Sequence, residues 1–151
     1  MKVIKVYKVL YGRAGSSEQR YGPYSNYEYE SELLPKRKGK RWVPGKWAKR
    51  VKGPLVLCEN GYHASKLLQL PVWIEAGVLN LVERPRYVYL AELREALNQG
   101  LYPENKEVGR SIRLLRPLGR VTRKAADALY RAPAKKKAAY LRALKLLRPV
   151  K

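Results

Sequence analysis

The chain has no phenylalanine, one cysteine (Cys58), one histidine (His63) and one methionine, and only 12 acids stand against 33 lysines and arginines. A single cysteine excludes an intramolecular disulfide. One cysteine with one histidine cannot complete a zinc site unless carboxylates supply the other ligands, so neither a metal nor a cofactor is implied. No apolar run approaches the roughly 18 residues of a membrane span. The opening MKVIKVYKVLYG alternates charge with apolar residues where a signal peptide would carry an apolar core. A cytoplasmic protein is the expectation.

What is present is apolar content and positive charge. With 151 residues, 46% of them hydrophobic, and twelve tyrosines, the chain can bury a core and fits one domain with a possible appendage. Its formal charge of +21 repels itself unless a partner or solvent ions neutralise it. The excess is uneven. Residues 1–53 hold 14 Lys/Arg against 4 Asp/Glu (+10), residues 54–109 hold 5 against 7 (−2), and residues 110–151 hold 14 against 1 (+13). Thermal adaptation would raise glutamate together with lysine and arginine, and acids are scarce here. Two basic blocks around a near-neutral centre fit a folded body carrying surfaces for a polyanion.

Lys2 to Tyr11 places Lys2, Lys5 and Lys8 among β-branched and aromatic residues, a strand with one mostly buried face and an imperfect period. Gly12 to Pro23 reads as a connecting loop. Tyr21, Tyr24, Tyr27 and Tyr29 lie among Glu28, Glu30 and Glu32, acids that would repel phosphate, so packing is the better use of those rings. Pro35 to Gly53 then carries nine basic residues, no acid, and Trp42 and Trp47. Glycine and proline rule out a long helix there. An exposed loop, or a hairpin turning at Val43-Pro44-Gly45-Lys46, is predicted. Cations interleaved with indoles are what a nucleic-acid groove uses, because the charges supply sequence-independent affinity and a flat ring can stack on an unpaired base. The competing use is a solvated charge run over two core tryptophans.

The central stretch, Leu55 to Glu83, begins with a short apolar strand (Pro54 to Cys58), a Glu59-Asn60-Gly61 turn, and Tyr62-His63-Ala64 as the exit. Ser65 is placed to cap a helix over Lys66 to Ala76, which Pro71 kinks or restarts and Gly77 ends. Val78 to Val82 and Tyr87 to Leu93 are further strand candidates. Cys58 and His63 could pair as nucleophile and base, but Glu59 is the only acid nearby and no spacing fixes it as the orienting group. A structural cysteine with a histidine tying down the turn is the preferred reading, and no catalytic residue is assigned.

The succession Tyr7 to Leu10, Pro44-Gly45-Lys46-Trp47, Gly53 to Ala64, Leu70-Pro71-Val72-Trp73 and Val88 to Leu93 resembles a family of small uncharacterised bacterial and phage proteins. Their signature is a Leu-Cys-x-x-Gly-aromatic-His-Ala turn, a Leu-Pro-x-Trp helix and a Val-Glu-Leu-type strand, followed by a basic strand ending in Arg-Leu-Leu, matched here by Lys106 to Leu115. The resemblance spans roughly residues 3–116 and implies a shared fold and a phage or mobile-element setting, hence host cytoplasm or virion. That family has no established activity to carry over. The segment 36–52 and the chain after 120 are richer in Lys and Arg than the resemblance requires. The order of the central elements also looks loosely like ADP-ribosyltransferase-type folds, in which such a turn lines the nicotinamide pocket, with Glu92, Glu104 and Glu107 as the available acids.

Beyond Gly119, Thr122 can cap a helix over Arg123 to Ala132, and Pro133 allows a second start running to Arg148. On that second helix Ala139, Tyr140, Ala143, Leu144, Leu146 and Leu147 share one side, while Lys135, Lys137, Arg142, Lys145 and Arg148 share the other; Lys136 and Leu141 break the pattern. Such a basic amphipathic helix suits nucleic-acid phosphates, a groove on a partner protein or an anionic membrane, and the absence of Trp and Phe from its apolar side disfavours the membrane.

The expectation is an α+β domain, a small, mostly antiparallel sheet with one or two short helices over residues 1–120, followed by a basic helical tail over 121–151. Its predicted partner is DNA or RNA, bound without sequence preference, or a nucleic-acid-containing complex. The residues predicted to make contact are Lys36, Arg37, Lys38, Lys40, Arg41, Trp42, Lys46, Trp47, Lys49, Arg50, Lys135, Lys137, Arg142 and Lys145. The alternatives are an inhibitor that docks stoichiometrically on a host protein, and an enzyme of the ADP-ribosyltransferase-like or Cys/His type.

Overall fold

The computed structural model describes residues 2–12, 19–21, 28–55, 60–70, 74, 85–97, 107–132 and 136–150. Valine, isoleucine and tyrosine favour extended backbone in β1 (Val3–Gly12) and β6 (Arg86–Arg94), and the two pair antiparallel from Val3↔Arg94 to Tyr11↔Arg86. A short β2 (Gln19–Tyr21) flanks β1, and β8 (Ser111–Arg120) flanks β6, giving a four-stranded antiparallel sheet in the order β2-β1-β6-β8. Two register shifts interrupt the β6/β8 ladder on either side of the Tyr89↔Pro117 pair. Proline has no N–H to donate, and a bulge absorbs that loss. Among the described residues there are also two smaller ladders: β3 (Lys36–Lys38) with β4 (Arg41–Val43), and β5 (Tyr62–Ala64) with β7 (Glu107–Gly109).

Both faces of the large sheet are packed, which explains the imperfect period of β1. Alternate side chains send Val6 and Leu10 into one core with Tyr29, Ala48, Ala64, Tyr89, Ala91, Leu93, Ile112 and Leu114. Val9 and Tyr11 point the other way, into a core with Leu70, Ile74, Val88, Val121 and the C-terminal helices. A strand buried on both faces reads as a nearly continuous apolar run rather than as strict alternation. Arg86 lies beneath this second layer, 1% exposed, with its guanidinium 4.6 Å from the Tyr11 ring centre and its Nε and Nη1 without hydrogen-bond partners. The attraction of the ring offsets part of the cost of burying that charge.

Two helices follow β8 among the described residues, α1 (Arg123–Arg131) and α2 (Lys137–Leu144). Thr122 caps α1 as predicted, its Oγ accepting from the Ala125 amide at 3.1 Å. Ala125, Ala126 and Leu129 of α1 and Tyr140, Ala143 and Leu147 around α2 are buried against the sheet, while Leu141 is 48% exposed. The helices that follow residue 121 therefore share a core with the sheet. Full burial of a leucine such as Leu129 contributes about 1.5–3 kcal/mol, far more than helix propensity gives a nine-residue segment.

Several expectations need correction. The basic hairpin turns at Gly39-Lys40, not at Val43 to Lys46, because Lys38 pairs with Arg41 and Gly39 takes φ +64, the positive value that the first residue of a two-residue hairpin turn of the II′ type needs. Ser65 does not cap a helix. Its amide and carbonyl bridge those of Tyr7 at 2.9 and 2.6 Å, and the chain then makes a 3₁₀ turn over Leu67–Gln69. Leu70 and Ile74 are helical and buried. The basic strand at Lys106 to Leu115 is two strands, β7 and β8, broken at Arg110. The expected strands at Pro54 to Cys58 and Val78 to Val82, the Pro71 kink, Tyr24, Tyr27 and Lys135 fall wholly or largely outside the described residues.

Gly45 is where the basic segment meets the body, and a Cβ there would overlap the Leu33 carbonyl. Gly45→Ala is expected to lower stability by about 1–3 kcal/mol, the usual cost of overpacking. Chemical denaturation measures it, and an unchanged midpoint would mean that the segment moves off the body freely.

Candidate nucleic-acid interface

The hairpin formed by β3 and β4 exposes Lys36, Arg37, Lys38, Lys40 and Arg41, with Trp42 half-buried. A two-stranded ribbon of this length is not stable alone. Arg37 holds it at one end: its Nε donates to the Gly39 carbonyl at 3.2 Å, its Nη1 donates to the Val150 carbonyl at 3.2 Å, and its guanidinium lies 5.6 Å from the Trp42 ring centre. Lys36 Nζ donates to Ser31 Oγ at 2.7 Å. Among the described residues, none of the five hairpin cations is in an ion pair with an acid.

At the base of the hairpin the chain runs on along the outer edge of β8. The amides of Gly45, Ala48 and Val51 donate to the carbonyls of Leu114, Ile112 and Arg110 at 3.0, 2.9 and 2.9 Å, and Ser111 Oγ donates to the Ala48 carbonyl at 2.5 Å. This segment advances three residues for every two of β8, so it is docked without being a regular strand. It also covers an edge that would otherwise expose unpaired backbone groups. Arg110 Nη1 ties its far end, donating to the Val51 and Gly53 carbonyls at 3.2 and 2.6 Å.

Docking fixes where the intervening side chains go. Lys49 is exposed, Lys46 lies 3.8 Å from Glu32, and Arg50 donates twice to Glu95, at 2.9 and 3.0 Å. Trp47 lies across two arginines of the sheet, Arg94 at 4.0 Å and Arg113 at 5.0 Å from its ring centre. Neither it nor Trp42 is among the fully buried core residues, so the core-tryptophan use of both rings is set aside.

The C-terminal block returns to the same edge. Arg120 and Arg148 exchange both backbone hydrogen bonds, at 2.8 and 2.9 Å, and Thr122 Oγ donates to the Leu146 carbonyl at 3.2 Å. From Arg148 the chain continues to Val150, whose carbonyl receives Arg37. The basic hairpin and the C-terminal residues thus meet beside the end of β8, a closure carried by a bond spanning 113 positions. Lys137, Arg142 and Lys145 are exposed on or just after α2, and among the described residues no hydrogen bond links them to the hairpin. Arg116, Arg120 and the arginines beneath Trp47 escape a reading of the sequence for basic runs; the strand register, which puts Arg113 opposite Glu92 and Arg116 opposite Leu90, is the signal that could find them.

The supposed nucleophile and base do not form a described site. His63 is half-buried in β5 opposite Val108, with its carbonyl accepting from Lys8 Nζ at 2.6 Å, and Cys58 lies outside the described residues. Among the described residues, no group of three or more His, Cys, Asp or Glu could hold a metal, and no helix is long and apolar enough to cross a membrane. No protein-family model, no curated protein and no solved structure matches the chain.

The Arg50 hydrogen bonds hold the Glu95 carboxyl below the ordinary carboxylate range, with the charges of Arg50, Arg110 and Arg94 acting in the same direction. A depressed folded pKa gives stability that is present above the unfolded value and is lost as pH falls through the folded one. Glu95→Gln should therefore lose less stability than the parent on acidification through and below the carboxylate range. Melting temperatures across an acid series test this, and parallel curves would mean that the pair does not hold the segment.

Proposed function

We propose that this chain binds nucleic acid, as an accessory protein acting on DNA, RNA or a nucleic-acid-containing complex, through the surface where the basic hairpin and the C-terminal residues meet. The observation that carries this reading is the Arg37 to Val150 contact. It brings the hairpin of the +10 block to the C-terminal residues of the +13 block beside β8, whereas dispersed charge would have lowered self-repulsion. Folding spends stability to concentrate cations, and a polyanion restores it.

Lys36, Lys38, Lys40 and Arg41 have the features of backbone contacts: exposed, long, and carried on a ribbon with no acid of its own. Such contacts release counterions from the nucleic acid and do not read sequence. Part of the apolar side of the helical region packs on the sheet, with Tyr140, Ala143 and Leu147 buried, while Leu141 and Leu146 remain exposed. The phage setting suggested by the central turn is compatible with this role and adds nothing to the chemistry.

The test is affinity for a random-sequence oligonucleotide as a function of salt. The logarithm of the binding constant should fall steeply with the logarithm of salt concentration. Replacing Lys36, Lys38 and Lys40 by alanine should make that slope shallower by up to about 2 to 3, near 0.9 for each phosphate that is no longer neutralised, without changing the melting temperature by more than a few degrees. A flat salt response in the parent protein, or an unchanged slope in the variant, contradicts the assignment.

A further inference from the structure

The helices cover only part of their side of the sheet. Val9, Tyr11, Val88 and Leu118 lie beneath them, whereas Val3 at the other end of β1 is 43% exposed and Lys5 is exposed. Strand register arranges the rest of this side in three rows: Tyr7, Leu90 and Arg116; Lys5, Glu92 and Arg113; Val3, Arg94 and Ser111, of which Val3, Lys5 and Arg116 are exposed and Ser111 is buried. Directly paired residues share a face, and the Glu92 to Arg113 ion pair at 2.7 Å and the Arg86 to Tyr11 contact bear out that register. Four cations stand on this face against one acid, and Glu92 accepts two hydrogen bonds from Arg113. Trp47 arrives from the docked segment, with the guanidiniums of Arg94 and Arg113 at 4.0 and 5.0 Å from its ring centre. Arg94 Nε is buried there without a hydrogen-bond partner, as befits a group that supports a ring.

We propose that this face binds a single strand of nucleic acid, with a base stacked on Trp47 and the backbone neutralised by the exposed Lys5 and Arg116. The proposal rests on the nucleic-acid reading above but uses different residues from the hairpin. Only unpaired bases offer a free π-face, so an indole held over cations on a flat sheet selects single strands over duplex. Duplex readers instead insert a helix or a ribbon into a groove. Tyr7, half-buried in the row beside Arg116, offers a second ring at the boundary with the helices. The face is also continuous with the hairpin, because the Gly45 amide is bonded to the Leu114 carbonyl, two residues from Arg116. A strand lying across the face can thus run on to Lys40 and Arg41.

The experiment uses the full chain with Trp42→Phe and Trp73→Phe, so that Trp47 is the only indole, and titrates it at low salt with oligo(dT), oligo(U) and a mixed-sequence duplex. Either single strand should quench the Trp47 emission, and the tighter of the two shows whether DNA or RNA is preferred. In the parent background, Trp47→Ala should weaken single-strand binding roughly 5- to 100-fold and duplex binding by less than about twofold. Lys5→Ala, at an exposed position, should weaken single-strand binding more than duplex binding. If Trp47→Ala fails to fold, the quench and Lys5→Ala decide. Single-strand binding that leaves Trp47 emission unchanged, or equal losses on single strand and duplex, overturns the proposal while leaving the wider reading standing. Failure of every oligonucleotide to bind at low salt overturns both.

Discussion

The outer edge of β8 is the constraint on which the rest of the molecule depends. Backbone groups on that edge take the amides of Gly45, Ala48 and Val51, and the end of the strand takes Arg148 through its bonds with Arg120. A free strand edge is a site for unwanted pairing, and here two basic segments cover it. Because these bonds are to backbone, the side chains between them remain available. Lys46 and Lys49 stay in solvent and Trp47 folds over the sheet. The same bonds that protect the edge therefore position the cations and one indole.

Charge is the second constraint, and acids are distributed to meet it. Glu32, Glu92, Glu95 and Glu107 pair with Lys46, Arg113, Arg50 and Lys66, all at positions where a segment joins the body or strands meet. Of these, the exposed Lys46 to Glu32 pair contributes only modestly, while the Glu107 carboxylate is buried. Their placement leaves the hairpin cations without an ion pair among the described residues. The central near-neutral stretch contributes the frame instead: Ala64 and Leu70 are buried in the two cores, and Ser65 joins β1.

Much of the frame is legible in the residues. β1 and β6 follow from runs of β-branched and aromatic side chains, the α1 cap from Thr122, and the α+β class from their order. The sequence misplaces the hairpin turn because Pro44-Gly45 is a stronger local turn signal than Gly39-Lys40, yet Gly45 is needed for its close approach to Leu33, not for a turn. Local signals also mislead at Ser65, where a tertiary bridge to Tyr7 replaces a helix cap. The site divides the same way. Basic residues and tryptophans of the segment 36–52 can be named from composition. Their arrangement depends on contacts across 113 positions, as for Arg37 with Val150, or across strands, as for Trp47 with Arg94, and no local pattern encodes those. The tail reads as an appendage because cations dominate its composition; its alanines and leucines, spaced for one helix face, place it in the core.

The central claim is that the two basic blocks form one surface. Binding of a single oligonucleotide of about 10 nucleotides, within the span one small domain occupies, tests it most directly when hairpin and C-terminal charges are removed separately and together. A single surface predicts one site per chain, with Lys38→Ala plus Lys40→Ala and Arg148→Ala each weakening the same binding event and each lowering its salt dependence. Two sites per chain, or an affinity that responds to one block alone, would contradict it.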